Sequence, residues 1–234
     1  MSNLHVSSLN QYYGGSHILW DIELHVPQGS CTCIMGRNGV GKTTLLKSIM
    51  GLLPVRSGNI HFGGSELVAR PPEVRARLGM GYVPQGREIF ASLSVEENLV
   101  VGVATANKRE RHAIIERVLS IFPALRNMLR RRGGDLSGGQ QQQLAIARAL
   151  AVKPTLLILD EPSEGIQPNV VHELGDTVMK LNREEGLTVL LVEQKLAFAR
   201  KVADRFCIVD RGRSVKSGAM TELSEALIQR HLAV

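Results

Sequence analysis

The sequence predicts an α/β fold: a doubly wound parallel sheet around a phosphate-binding loop, with an N-terminal antiparallel β subdomain and an inserted α-helical subdomain. Three observations predict it. A strand-like run, Cys33-Ile34-Met35, breaks into Gly36-Arg37-Asn38-Gly39-Val40-Gly41-Lys42-Thr43, and a helical run follows from Thr44 to Met50. That is the strand–loop–helix context the G-x-x-x-x-G-K-[ST] pattern requires. Residues 155–159 and 187–192 are continuous apolar runs, as in strands buried on both faces of a parallel sheet. Helical stretches alternate with these strands, the signature of a doubly wound sheet.

Taken in order, residues 3–9 and 18–26 alternate as antiparallel strands about Gly14-Gly15, and Pro27-Gln28-Gly29 turns the chain into the loop strand. Tyr12 and Tyr13 precede the glycine pair; either could stack on an adenine ring or pack on the sheet. Residues 59–62 and 81–83 read as short strands, with a small helix from Pro71-Pro72 to Leu78 between them. Residues 94–132 read as helices, and Ser94 with Glu97 forms a capping box at their start. A further helix after Gln140 ends at Lys153-Pro154, so a mostly helical block covers about 87–153, inserted between core segments 1–86 and 154–234. Helices at 168–184, 194–203 and 220–232 and late strands at 207–210 and 214–217 complete the chain.

At 234 residues the chain can bury a full core, and 44% hydrophobic with 21% charged residues is ordinary globular composition. No apolar run approaches the roughly 18 residues that cross a bilayer, and MSNLHVSSLN lacks the character of a secretory signal. A cytoplasmic location is expected. Cys31, Cys33 and Cys207 sit in or beside strand-like runs without disulfide or zinc spacing, and read as buried thiols. The net charge of +6 is scattered apart from Arg130-Arg131-Arg132, and few aromatics are available for base stacking. A solvated surface, lying near anionic lipid, is expected rather than a nucleic-acid footprint.

Three pieces carry chemistry. Glycines 36, 39 and 41 let consecutive N–H groups turn inward as an anion nest at a helix N-terminus. Lys42 can then reach the β- and γ-phosphates, and the Thr43 hydroxyl can ligate Mg²⁺. Asp160-Glu161 ends a buried strand, where one carboxylate can hold Mg²⁺ and the other orient or deprotonate water. Leu136-Ser137-Gly138-Gly139-Gln140 opens a helix and makes a second anion site without a second phosphate loop. A dimer, each half completing the other's nucleotide pocket, is the implication.

GRNGVGKTT, YVPQ, LSGGQ and LLILDEP, in this order around a helical insertion, resemble the nucleotide-binding subunits of ATP-binding-cassette transporters over essentially the whole chain. The resemblance implies a P-loop NTPase core that hydrolyses ATP with Mg²⁺. Gly36, Arg37, Asn38, Gly39, Val40, Gly41, Lys42, Thr43 and Thr44 would grip the phosphates, and Tyr13 would stack on adenine. Gln85 would sense Mg²⁺ and the attacking water while linking to a membrane partner. Ser137, Gly138, Gly139 and Gln140 would serve the nucleotide of the opposite subunit. Asp160 would hold Mg²⁺ and Glu161 would be the general base.

Two positions depart from the family pattern. Gln194 stands where a switch histidine is usual, and Glu164-Gly165-Ile166-Gln167 replaces Ser-Ala-Leu-Asp. A glutamine amide can hydrogen-bond a γ-phosphate but carries no charge or titrating proton, so weaker catalysis here or reliance on a partner's site is expected. Both departures resemble the ATPases of importers for branched-chain amino acids, amides and urea. Within that branch GYVPQGREIF, DLSGGQQQQ and DEPSEGIQP look most like the urea-importer subunits. The resemblance implies a sister ATPase as heterodimer partner, two membrane-spanning subunits, an extracytoplasmic binding protein and a peripheral place on the cytoplasmic membrane face. Residues 44–136 are too short for the coiled coil of a DNA-repair relative, and one cassette is too few for a translation-associated one. A small-molecule kinase has no use for LSGGQ, and His172-Glu173 has no partner histidine a turn away for zinc.

Overall fold

Two sheets carry the chain, and the register between their strands places the functional loops. The computed structural model describes residues 2–104 and 106–232. Strands β1 (Ser2–Tyr13) and β2 (Ser16–Pro27) form an antiparallel ribbon, in which Ile22, Leu24 and Val26 are buried while Glu23 and His25 face out. β3 (Cys31–Met35) leads through the phosphate loop into α1 (Lys42–Ile49). Then come β4 (Ser57–Phe62), β5 (Ser65–Glu66), α2 (Pro72–Arg77) and β6 (Met80–Val83). The helical stretch comprises α3 (Val95–Gly102), α4 (Lys108–Ile121), α5 (Pro123–Arg126) and α6 (Gly138–Ala151). β7 (Leu156–Asp160), α7 (Pro168–Arg183), β8 (Thr188–Val192), α8 (Leu196–Val202), β9 (Arg205–Asp210), β10 (Arg213–Ala219) and α9 (Glu225–His231) follow.

The antiparallel sheet has the order β2-β1-β4-β5, and the six-stranded sheet the order β10-β9-β3-β8-β7-β6. All its pairings are parallel except β9 with β10. Every residue of β3, β7 and β8 is buried, because both faces of this sheet are covered. On one face Cys33, Met35, Leu157, Leu159, Val189 and Leu191 share an apolar cluster with α3, α4, α6, α7 and α8. On the other, Ile34, Ile158, Leu190 and Val192 pack with α1 and the antiparallel sheet. Cys31, Cys33 and Cys207 are buried without disulfides, and burial pushes each thiol up in pKa.

Three readings change. The two-residue β5 is too short to leave a periodic pattern. The helical reading over 94–132 runs too far: α4 stops at Ile121, Pro123 opens a four-residue helix, and a 3-10 turn at Gly133–Asp135 follows. The last helix is two pieces, a 3-10 turn at Met220–Glu222 and α9, which restarts because the Ser224 side chain accepts the Leu227 N–H. The Ser94–Glu97 capping box is present in full.

Candidate active site

Four loops leave the parallel sheet side by side. Val192 pairs with both Ile34 and Asp160, and Val83 pairs with Leu159. The ends of β3, β8, β7 and β6 are therefore level, and the phosphate loop, Glu193–Lys195, Glu161–Glu164 and Pro84–Glu88 emerge along one edge. That is the crevice at the carboxyl ends of strands where open α/β sheets bind ligands.

The phosphate loop is shaped by close approach. A Cβ on Gly36 would lie 2.2 Å from the Val209 carbonyl oxygen, so no side chain fits there. Gly41, at φ 103°, is the residue just before α1, whose N-terminus no side chain caps. Lys42 is 5% exposed, and its Nζ donates to the Gly36 and Arg37 carbonyls at 2.8 and 2.9 Å. Burial lowers its pKa, and the Glu161 carboxylate 4.0 Å away pushes back. Outside the loop, the Val40 carbonyl accepts from the Gly212 N–H, and the Gly212 carbonyl accepts from the Trp20 N–H. Trp20 stacks on His17, which stacks on Tyr12.

The acidic side begins at Asp160, 1% exposed, with neither carboxylate oxygen hydrogen-bonded among the described residues. Burial pushes its pKa up to about 6, against the opposing pull of the nearby Thr43 hydroxyl. Glu161 follows at φ 48°, a left-handed conformation costly for a glutamate and common at functional sites. Its N–H donates to Val192, which fixes the turn. Its Oε1 accepts from Gln194 Nε2 at 2.5 Å, and its Oε2 from Gln85 Nε2 at 3.5 Å. Gln85 donates also to Glu164 Oε2 at 2.9 Å.

Between these walls lies a cavity of about 300 Å³ lined by Tyr13, Asn38, Gly39, Gly41, Lys42, Thr43, Thr44, Gln85 and Glu161. Tyr13, 48% exposed, stands on its rim, whereas Tyr12 packs on His17, so the two tyrosines separate into one cavity residue and one sheet residue. A larger cavity of about 500 Å³ opens near Lys153, Thr155 and Thr188, at the opposite end of the strands, away from the phosphate loop. Residues 137–140 do not line the 300 Å³ cavity. Ser137 and Gln140 form a reciprocal capping box at the start of α6. A Cβ on Gly139 would meet the Val170 side chain at 2.7 Å, a close approach of α6 to α7.

Sequence reasoning passed over three contributors. Arg87, at φ 73°, donates to Gln141 Oε1 at 3.1 Å and ties the Gln85 loop to α6. Glu164 anchors Gln85. Glu193 holds the loop carrying Gln194. None of the three has a local sequence signal: two act across more than fifty residues, and the third holds only its own loop.

A glycine-shaped anion loop, a buried unpaired aspartate and a constrained glutamate at adjoining strand ends define a nucleotide-hydrolysing cassette. Residues 19–164 match the family described as ABC transporter. A probable branched-chain amino acid transport ATP-binding protein of Archaeoglobus fulgidus is 40% identical over 95% of this chain and 94% of its own. A high-affinity branched-chain amino acid transport ATP-binding protein of Pseudomonas aeruginosa is 41% identical over 91% of each. Among solved structures, the cbiO1 part of an ABC transporter complex of Clostridium perfringens is 28% identical with TM-score 0.85, covering 98% of this chain and 93% of that one. A nucleotide-free cassette from an ABC transporter, 24% identical with TM-score 0.85, covers 98% and 94% and shares the fold. The chain belongs to the ABC transporter family and is an ATPase. Among the described residues, no helix is long and apolar enough to cross a membrane.

Proposed function

We propose that this chain is the ATP-hydrolysing subunit of an importer for small amino-acid-like solutes, with branched-chain amino acids as the solute. The single observation that supports the ATPase roles is the common level of four strand ends, which brings Lys42, Thr43, Gln85 and Glu161 to one cavity, with Gln194 hydrogen-bonded to Glu161 and Asp160 beside it in sequence. The relatives at 40% and 41% identity support the solute class.

In this reading the phosphate loop and the α1 N-terminus receive the β- and γ-phosphates, while Lys42 exchanges its carbonyl partners for phosphate oxygens. Tyr13 stacks on the adenine from the rim. Asp160 and the Thr43 hydroxyl are hard oxygen donors, and two buried oxygens without partners are what a divalent cation would satisfy, so these residues fit Mg²⁺. Gln85 borders the same space. Bound there, Mg²⁺ supplies charge neutralisation of the phosphates. Glu161 accepts the proton of the attacking water, oriented by the amides of Gln194 and Gln85. Gln194 cannot take up charge, so it acts as a donor alone.

A second ATPase subunit closes the cavity with its own signature helix; the corresponding Ser137–Gln140 edge of this chain would serve the partner's nucleotide. A sister ATPase is the partner in the transporter, and a second copy can take that place when the chain is isolated. One of the two membrane permease subunits docks at a groove of about 330 Å³ lined by Met50, Tyr82, Phe90, Val101 and Val152, which flanks the Gln85 loop, and the other docks on the sister ATPase. Phe90 and Val101 are 46% and 44% exposed, and such apolar surface favours a partner. The chain is then peripheral on the cytoplasmic face, with an extracytoplasmic binding protein acting through the permeases. The helical segment 87–153 is the part that carries the signature edge relative to the core.

A second reading, urea as the solute, is favoured by Glu-Gly-Ile-Gln-Pro at 164–168 and the glutamine run after Gly139. Uptake of labelled leucine, urea and a short amide, in cells with and without the gene, decides between them. Loss of leucine uptake supports the first reading, and loss of urea uptake alone replaces it with the second. For the chemistry, Glu161→Gln should bind ATP yet turn over poorly; near-normal turnover removes its role as base.

A further inference from the structure

Glu193 follows the last residue of β8 and is 2% exposed. Its Oε1 accepts two consecutive backbone N–H groups, from Gln194 at 2.7 Å and Lys195 at 2.8 Å. Its own N–H donates to the Ile34 carbonyl at 3.2 Å, two residues before the phosphate loop. Oε2 is buried with no partner among the described residues. A buried carboxylate with one oxygen unsatisfied weakens a fold, and a well-packed apolar side chain often serves stability as well or better. What the carboxylate provides is the direction in which the next two residues leave the strand. Held this way, Gln194 donates to Glu161 Oε1 at 2.5 Å, and Lys195 Nζ donates to the Ser163 carbonyl at 2.9 Å. The loop after β8 is thus fastened to the loop after β7 at Glu161 itself and again two residues further on, at Ser163.

We propose that Glu193 is a positioning residue for ATP hydrolysis, whose carboxylate presets the Gln194 amide against Glu161. The inference rests on the reading of Glu161 as base and Gln194 as its partner. A glutamine side chain loses more rotational freedom on being held than a rigid ring does. A backbone already fixed by Glu193 reduces what must be ordered at the moment of reaction.

The test is steady-state ATP hydrolysis by the purified full chain across ATP concentrations, with ATP binding measured in parallel. Glu193→Ala should lower kcat about tenfold and leave KM within about twofold. Glu193→Gln keeps an oxygen that can accept both N–H groups, and should recover most of the lost kcat. Adding Glu193→Ala to Gln194→Ala should cost almost nothing further, because the two act through one interaction. A raised KM with unchanged kcat, a glutamine variant no better than alanine, or losses that multiply in the double variant would each overturn the proposal. If the alanine variant does not fold, Glu193→Asp, which withdraws the carboxylate while keeping its charge, takes its place with the same expected loss. Near-normal turnover of Glu161→Gln removes the base assignment and this inference together. Impaired Glu161→Gln beside unaffected Glu193 variants removes the inference alone.

Discussion

Asp160→Asn should make the nucleotide-free protein more stable while abolishing its stabilisation by ATP with Mg²⁺. The Asp160 carboxyl sits at about 6 against an ordinary 3.8, chiefly because burial disfavours the charged form. At about 1.4 kcal/mol per pH unit, that difference makes the ionised side chain destabilising by about 3 kcal/mol. An unpaired amide in the same place has its own burial penalty of at least about 1 kcal/mol, which leaves a net gain on the order of 1–2 kcal/mol. For a chain of this size the melting temperature should rise by roughly 3–6 °C. The sign with pH follows from the raised value: the penalty is complete above about 6 and gone below 3.8, so the gap between variant and wild type should close between those limits. Differential scanning fluorimetry at pH 7.5 and at pH 4, without nucleotide or metal, measures it. ATP with Mg²⁺ at pH 7.5 should reverse the order, since only the carboxylate offers two anionic oxygens. A variant that melts below wild type at pH 7.5 without ligand would refute the claim that burial dominates at Asp160.

Two further outcomes are expected. Gly36→Ala sets a methyl 2.2 Å from the Val209 oxygen, so the loop must shift and the stabilisation given by ATP, about 3 kcal/mol at 100-fold excess over Kd in wild type, should largely vanish from the melting temperature; a shift equal to wild type's would show the loop tolerates the move. His25 faces out of the ribbon, yet partial desolvation, His5 opposite it and Arg205 lower its pKa, so stability tied to its neutral form is complete above 6.5 and lost as pH falls below that value. His25→Gln should therefore flatten the acid-side fall in denaturation midpoint between pH 7 and pH 5, and an unchanged slope would place the loss elsewhere.

The central strands were legible because burial on both faces leaves uninterrupted apolar runs, and the phosphate loop because its shape needs glycine at fixed spacing. The company each site residue keeps was not. Gln85 and Glu161 are 76 residues apart, and they meet only because β6, β7 and β8 pair in one register, a property of the ladder and not of any local pattern. Tyr12 and Tyr13 differ in role through strand alternation about a two-residue turn, which propensity alone could not resolve. Arg87 reaches amide and backbone groups more than fifty residues away, and Glu193 accepts the N–H groups of the next two residues of its own loop; neither kind of contact leaves a periodicity. The motif likeness to urea importers reached further than the relatives support, since this subunit's own site holds nucleotide and not the solute.

The one tryptophan of the chain is linked through Gly212 to the Val40 carbonyl of the phosphate loop, and its ring lies against His17 at 3.5 Å. A nucleotide that displaces Val40 should reach the Trp20 backbone through these two hydrogen bonds and change how the indole rests on His17. Trp20 is the one indole of this chain, so titrating the isolated protein with ATP while recording tryptophan emission should trace occupancy of the loop without an attached dye, and an unchanged spectrum at saturation would show that the two hydrogen bonds do not transmit the movement.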